Sequence, residues 1–259
     1  MPRYADITGW GKCMPPAVMT NDDMASVIDT SDEWIRTRSG IRERRVSHVP
    51  GSDLAAVAGF RALAAAGVDV EDVDLLIVAT CTPDTVIPST AAHVQKKMGA
   101  KNAAVFDLNA GCSGFVYSMT VATSLVRTGA YRKVLVIGSE RVTWFLNWSL
   151  RDTAVLFGDG AGAVLVEPSE RECGLLASHL GCEGEALEAL LVPNFGTAGN
   201  RFVENYAAFD VNFDGREIFR RAVKGMAREV RIVMEELGLQ NSDIDLIIPH
   251  QANERIIES

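Results

Sequence analysis

Cys112 stands in a run of small residues, Ala110-Gly111-Cys112-Ser113-Gly114, between two stretches of different character. The apolar run 103–108 before it reads as a buried strand. The stretch 115–126 after it has few breakers and reads as a helix. The spacing therefore places a thiol at a strand-to-helix turn. The first backbone N–H groups of a helix have no intrahelical partner and lie at the positive end of its dipole. Such a setting favours thiolate over thiol, and the thiolate is the nucleophile. Small neighbours leave room for a substrate carbonyl to approach. The same pattern also fits a buried, unreactive cysteine packed on a helix.

A second candidate group is His250, in Pro249-His250-Gln251-Ala252-Asn253, at the C-terminal end of an expected strand over 244–248. Open α/β sheets collect their ligands at the C-terminal ends of strands. A neutral imidazole can move a proton near neutral pH or donate a hydrogen bond to a developing oxyanion, and the Asn253 amide can donate too. The chain holds four histidines, and His48, His93 and His179 lack such a setting. A histidine after a strand can equally serve only to cap a neighbouring helix.

The elements that must position these groups alternate. Strands are expected over 73–80, 133–138 and 162–166, with helices over 52–66, 89–97 and 113–127. That order implies a layered α/β fold with a mostly parallel sheet. The run 70–77 is echoed by 241–248, each after a helix ending near a glycine (Gly67, Gly238) and each leading toward a proline (Pro83, Pro249). Two such units suggest a duplicated α/β half, although two short runs of this composition can also match by chance. Gly158, Gly160 and Gly162 are not spaced as GxGxxG, and a strand follows them. A dinucleotide loop is thereby excluded, leaving close backbone approach beside the active site as their expected role. The polar, glycine-containing segment 194–214 reads as an irregular excursion.

Composition sets the outer limits. With 259 residues, 47% hydrophobic and 23% charged, the chain fits a soluble globular protein of one large domain or two packed halves. Five scattered cysteines with no CxxC pair point to a reducing compartment. The first residues lack the layout of a signal peptide, and no apolar run approaches the roughly 20 residues of a membrane span. A net charge of −9 argues against nucleic acid as a partner.

Taken together, Ala110-Gly111-Cys112-Ser113-Gly114-Phe115, Phe157-Gly158-Asp159-Gly160-Ala161-Gly162-Ala163, Pro249-His250-Gln251-Ala252-Asn253 and the run from Thr30 through Trp34 and Arg38 to Arg44 resemble the β-ketoacyl-[acyl carrier protein] synthase III family. The resemblance implies an α/β, thiolase-like fold: two related βαβ halves in a layered αβαβα arrangement, here 1–168 and 169–259, usually forming a homodimer in the cytoplasm. It implies no metal and no cofactor beyond the coenzyme A thioester used as substrate. Cys112 would take an acyl group from acyl-CoA, and malonyl-[acyl carrier protein] would then enter and lose CO₂. His250 would stabilise the enolate oxygen, with Asn253 in support, and the carbanion would attack the acyl thioester to give a 3-oxoacyl product. Thr30, Trp34, Arg38 and Arg151 fall at coenzyme A positions, Trp34 and Arg151 flanking the adenine and Arg38 at the nucleotide end. Ile87, Phe157 and Phe213 fall at acyl-pocket positions, Ile87 reaching the partner's pocket in the dimer.

The family pattern runs on for several tens of residues where this sequence stops, and there supplies a Gly-Asn-Thr segment, a glycine-rich loop and closing strands. The resemblance therefore implies an incomplete second half. A related enzyme of secondary metabolism using another acceptor, or an inactive partner-binding remnant, are the alternative readings. Finally, Arg216, Arg220, Lys224 and Arg228 recur every four residues on an expected helix over 216–237. With Arg255 they would form a docking surface for the acidic carrier protein, or else an ordinary solvated helix face.

Overall fold

The computed structural model describes residues 4–192 and 211–259. In chain order its elements are β1 (Tyr4–Cys13), β2 (Ala17–Thr20), α1 (Asn21–Ala25), α2 (Asp32–Ser39), β3 (Glu43–Val46), α3 (Gly51–Ala66), β4 (Leu75–Ala79), α4 (Thr90–Met98), β5 (Ala104–Leu108), α5 (Gly114–Arg127), β6 (Val134–Arg141), α6 (Arg151–Ala154), β7 (Asp159–Ser169), β8 (Leu190–Leu191), β9 (Asn212–Phe213), α7 (Gly215–Leu237) and α8 (Glu254–Glu258). They gather into two compact units. One comprises Met1–Ala17, Arg45–Arg141 and Asp159–Ser178; the other comprises Val18–Arg44, Val142–Gly158 and His179–Ser259.

The first unit is built on a five-stranded sheet of order β1-β7-β6-β4-β5. Strand β4 runs parallel to β5 and β6, while β7 runs antiparallel to β6 and β1. The sheet is thus mixed rather than mostly parallel, because β7 returns beside β6 and the N-terminal strand pairs onto β7. All five residues of β4 are buried. Their alternation sends Leu76 and Val78 into a cluster with α3 and α4, and Leu75 and Ile77 into one with Met119, Ala122 and Val126 of α5. The sheet is therefore covered by helices on both faces, which explains why β4 reads as an unbroken apolar run.

Two sequence expectations need correction here. Strand β5 is an edge strand with β4 as its partner in the sheet, and Phe106 is exposed, so 103–108 is not a fully buried strand. The glycines of β7 are not the tight ones: a side chain at Gly160 would meet nothing nearer than the Met14 sulfur at 3.6 Å. Close approach falls on β1 instead. A Cβ at Gly11 would overlap the Ala58 carbonyl oxygen and lie 2.6 Å from the Ala62 nitrogen, and one at Gly9 would lie 2.8 Å from the Ala66 Cβ. Helix α3 can lie against β1 only because these two positions carry no side chain.

In the second unit the repeated motif is visible in part. Gly67 and Gly238 end their helices in the left-handed conformation, at φ 67° and 66°, and the 3₁₀ turns Val70–Asp72 and Asn241–Asp243 follow them. The first copy then enters β4. The second does not form the expected strand over 244–248: no strand among the described residues pairs with it, and Leu246, Ile247 and Ile248 are 74%, 58% and 75% exposed. An isolated strand has no ladder partner, so its β-propensity alone cannot order it. Of the expected excursion 194–214, residues 194–210 lie outside the described residues. Its end is regular, with Val211 buried and β9 paired to β8.

Replacing Gly11 by Ala should cost about 2–4 kcal/mol of stability, because the overlap is with helix backbone that cannot turn aside. Gly160→Ala should cost less than about 1 kcal/mol. Urea denaturation of the two variants beside the parent measures the contrast, and equal midpoints would show that β1 and α3 have slack.

Candidate active site

Cys112 lies in the 3₁₀ turn Gly111–Ser113 that joins β5 to α5, with Ser113 as the helix N-cap residue. Gly111 makes the turn with φ 53°. The turn is seated on the sheet by Gly114, whose α-hydrogen side faces Ala79 at the end of β4: a Cβ there would stand 3.4 Å from the Ala79 Cβ and 3.8 Å from the Leu108 oxygen. The thiol is exposed enough for a reagent to reach. Its acidity runs against the sequence expectation. Protein packed around the sulfur displaces water and pushes the thiol pKa up, the negative charge of Glu140 adds to this, and the residue's own backbone N–H offsets only part of it. Cys112 is therefore a thiol at neutral pH, not a thiolate. The helix-terminus argument counted the favourable dipole and missed the nearby carboxylate.

Glu140 itself was not singled out by sequence reasoning. It is half-buried at the end of β6 and grips the turn that follows β4. One carboxylate oxygen accepts the Cys81 N–H at 2.8 Å; the other accepts the Thr82 hydroxyl at 2.5 Å and the Thr80 hydroxyl at 3.5 Å. Burial raises its pKa above the ordinary carboxylate value, and the same donors offset only part of that rise. Cys81, beside it, is pushed far above the usual thiol range by burial and by the Glu140 charge. The partners are about sixty residues apart in sequence, so only a carboxylate ending an otherwise apolar strand could have marked the site.

The second unit holds the other candidate residues. Helix α2 starts at Ser31, whose hydroxyl accepts the Trp34 N–H at 3.1 Å, and ends at Gly40 in the left-handed conformation. The guanidinium carbons of Arg38 and Arg151 each lie 4.4 Å from the Trp34 ring centroid. Arg151 is steadied by donating to the Asp29 carbonyl at 3.1 Å. The Thr30 hydroxyl oxygen is buried and has no partner among the described residues. Trp34, Arg38 and Arg151 thus form one planar, cationic station.

His250 is in an irregular segment, not at the end of a strand. Its ring keeps accessible surface, but the protein around it removes part of its hydration and lowers its pKa below the ordinary value of 6.5. It is a neutral imidazole at pH 7. Asn253 has a more definite task than the general donor expected of it. Its Oδ1 caps α8 by accepting the Arg255 N–H at 2.9 Å, while its Nδ2 donates to the Arg38 carbonyl at 3.0 Å. The His250 segment is thereby tied to the helix that carries Trp34.

Phe157 and Phe213 sit in one apolar cluster with Phe145, Leu146 and Val211. Ile87 belongs to the first unit and is 87% exposed. On α7, Arg216, Arg220, Lys224 and Arg228 all face solvent, as does Arg255. The stripe is not purely basic: Arg220 pairs with Glu217 at 2.6 Å, and Arg228 with Glu229 at 2.8 Å and Glu183 at 3.6 Å. No helix among the described residues is long and apolar enough to cross a membrane.

Comparison with known proteins bears on the whole chain. The family described as 3-oxoacyl-[acyl-carrier-protein] synthase III matches residues 106–184, which include Cys112. β-Ketoacyl-[acyl-carrier-protein] synthase III 2 of Vibrio vulnificus strain YJ016 is 54% identical over 256 residues, covering 99% of this chain and 71% of that protein. β-Ketoacyl-[acyl-carrier-protein] synthase III of Roseiflexus castenholzii is 49% identical, covering 100% of this chain and 80% of its own length. The crystal structure of 3-oxoacyl-[acyl-carrier-protein] synthase III from Aquifex aeolicus VF5 superposes with a TM-score of 0.91 at 41% identity, covering 98% of this chain and 79% of that one. The priming β-ketosynthase of the R1128 polyketide pathway gives 0.92 at 34% identity, covering 99% and 77%. With a cysteine on the strand-to-helix turn and half of its residues shared with these synthases over nearly its entire length, the chain belongs to the 3-oxoacyl-[acyl-carrier-protein] synthase III family of thiolase-like condensing enzymes.

Proposed function

We propose that this chain condenses an acyl-CoA primer with malonyl-[acyl carrier protein], losing CO₂ and giving 3-oxoacyl-[acyl carrier protein], the opening step of fatty-acid synthesis. The observation that carries this is 54% identity across 99% of the chain to a synthase III. Cys112 is its nucleophile and His250 its enolate-stabilising group. The Cys112 sulfur attacks the thioester carbonyl, its proton passes to a base, and CoA leaves as the thiol. Malonyl-[acyl carrier protein] then breaks its C–CO₂ bond, and the electron pair stays on the adjoining carbon as an enolate. A neutral His250 suits the donation of one N–H to that oxygen. The carbanion attacks acyl-Cys112, and the cysteine sulfur departs. Covalent catalysis and oxyanion stabilisation together need no cofactor beyond the CoA thioester.

Trp34 with Arg151 is the proposed seat of the adenine, with Arg38 toward the phosphates and Thr30 at the same coenzyme A site. Phe157, Phe213 and Ile87 are proposed to bound the acyl group, and Asn253 to keep the His250 segment against α2. The exposed row Arg216, Arg220, Lys224, Arg228, with Arg255, is proposed to receive the acidic carrier protein. Its ion pairs are solvent-exposed and cheap to exchange. We further propose a homodimer across the β5 edge, where Phe106, Phe115, Val116, Val86 and Ile87 are all exposed in one unit. The thiolase-like halves are assigned to 1–168 and 169–259 on the matched Gly67 and Gly238 turns. A cytoplasmic location accords with five free cysteines.

Incubation with acyl-CoA alone should add one acyl mass to the parent chain and none to Cys112→Ala, read by intact-mass spectrometry. Equal adducts on both would remove Cys112 from the mechanism. His250→Ala should leave that acylation intact and slow malonyl decarboxylation by about 10²–10³. Because His250 titrates below 6.5, the parent's decarboxylation rate should hold down to about pH 6.5 and fall below it. A fall beginning well above pH 7 would contradict a neutral His250. Arg220→Glu combined with Arg255→Glu should raise KM for malonyl-[acyl carrier protein] by about tenfold at low salt and leave acyl-CoA kinetics unchanged. Unaltered carrier-protein kinetics would dismiss this surface.

A further inference from the structure

We propose that Glu140 is a positioning residue for the reaction, a carboxylate that clamps the Thr80-Cys81-Thr82 turn beside the nucleophile and sets the electrostatic field in which Cys112 reacts. The inference rests on the assignment of Cys112 as nucleophile and adds a residue to it.

The clamp closes the open ends of two adjacent strands. Thr80 leaves β4 by donating its N–H to the Leu108 oxygen at 3.1 Å, the residue that ends β5 and leads to the Cys112 turn. From β6, Glu140 reaches across to accept from Cys81 N–H, Thr82 O–H and Thr80 O–H. The shortest of these contacts has a defined direction. The Thr82 oxygen accepts the Arg141 N–H at 2.8 Å, so its own hydrogen is free to go to Glu140. The Thr80 oxygen accepts the Thr82 N–H at 3.1 Å, and its own hydrogen has two acceptors at 3.5 Å, Glu140 and the Thr82 oxygen. The two short contacts, from the Cys81 N–H and the Thr82 hydroxyl, both donate to Glu140, which favours its carboxylate form against the burial that disfavours it.

That anion acts on Cys112. Glu140 is the charged group that bears on Cys112, since Cys81, raised far above the usual thiol range, is neutral. Asp107, on β5, is occupied by the Thr90 and Ala91 N–H groups at 2.7 Å each. A fixed negative charge near the sulfur opposes the thiolate in the resting enzyme. A resting thiol resists oxidation and adventitious alkylation, since it is the thiolate that reacts.

Three variants test this through the pH profile of iodoacetamide alkylation, followed at the Cys112 peptide by mass spectrometry. Glu140→Gln keeps the shape and removes the charge. It should shift the profile to lower pH and accelerate alkylation at pH 7 by at least about threefold, tenfold corresponding to one full unit. Glu140→Asp keeps the charge and should stay within about twofold of the parent. If Glu140→Gln does not fold, Thr82→Val decides: it removes the shortest donor to the carboxylate and should move the profile the same way by less. Superimposable profiles in the folded variants, or equal acceleration by Gln and Asp, would overturn the proposal. This readout needs no turnover, so a parent that alkylates at Cys112 but fails to acylate there would count against the nucleophile assignment and not against the clamp.

Discussion

Strand β4 hydrogen-bonds in parallel to β5 on one side and to β6 on the other, and all five of its residues are buried. In a parallel sheet the strand ends that point the same way finish at one level. The last residues of β4, β5 and β6 therefore deliver three different loops to a single edge. One carries Thr80, Cys81 and Thr82, one carries Cys112, and the third side supplies Glu140. None of these residues is close to another partner in sequence, apart from the Thr80–Thr82 turn itself. Their neighbourhood exists because the register Ala79↔Leu108 and Ala79↔Gly138 holds. A slip of one residue would turn every β4 side chain to the opposite face and separate the clamp from its turn.

Two opposing electrostatic effects meet at Cys112, and the structure shows which prevails. A helix terminus contributes partial charges that fall off within the first turn. The cysteine stands before the N-cap residue, in a 3₁₀ turn, and has only its own N–H as local support. Against it stand lost hydration and the full charge of Glu140. Lost hydration is the larger of the two, and with the Glu140 charge it outweighs the support of one backbone N–H. A cysteine held as the thiol must give up its proton before or during any attack by its sulfur.

What the sequence made legible divides along the range of the interactions involved. The helices α3, α4, α5 and α7 and the strands β4, β6 and β7 follow from local periodicity, caps and breakers, and their boundaries agree within a few residues. The turn around Cys112 was legible for the same reason. Strand direction was not: β7 pairs antiparallel because of what lies beside it, and nothing within its own residues encodes that. Residues 244–248 show the converse. Asp245-Leu246-Ile247-Ile248 repeats the pattern of Asp74-Leu75-Leu76-Ile77, but one copy is a central strand and the other is exposed. Pattern states what a segment can do, and a ladder partner decides whether it does. Glu140 was invisible because its meaning lies wholly in donors some sixty residues away.

In the second unit the positioning is done by one amide. Asn253 could have been read as a spare donor for substrate, yet both of its ends are engaged, one in capping α8 and one on the Arg38 carbonyl. Gly40 lets α8 come this close, since a side chain there would run into Glu254. The consequence is mechanical. Trp34 and Arg38 are carried on a short helix whose C-terminal carbonyl is bonded to the segment bearing His250, so a displacement of either is felt by the other. A bond of this kind contributes only about 1 kcal/mol to stability. Its effect on geometry is larger than its energy, because it joins a helix of eight residues to a histidine that has no strand beneath it.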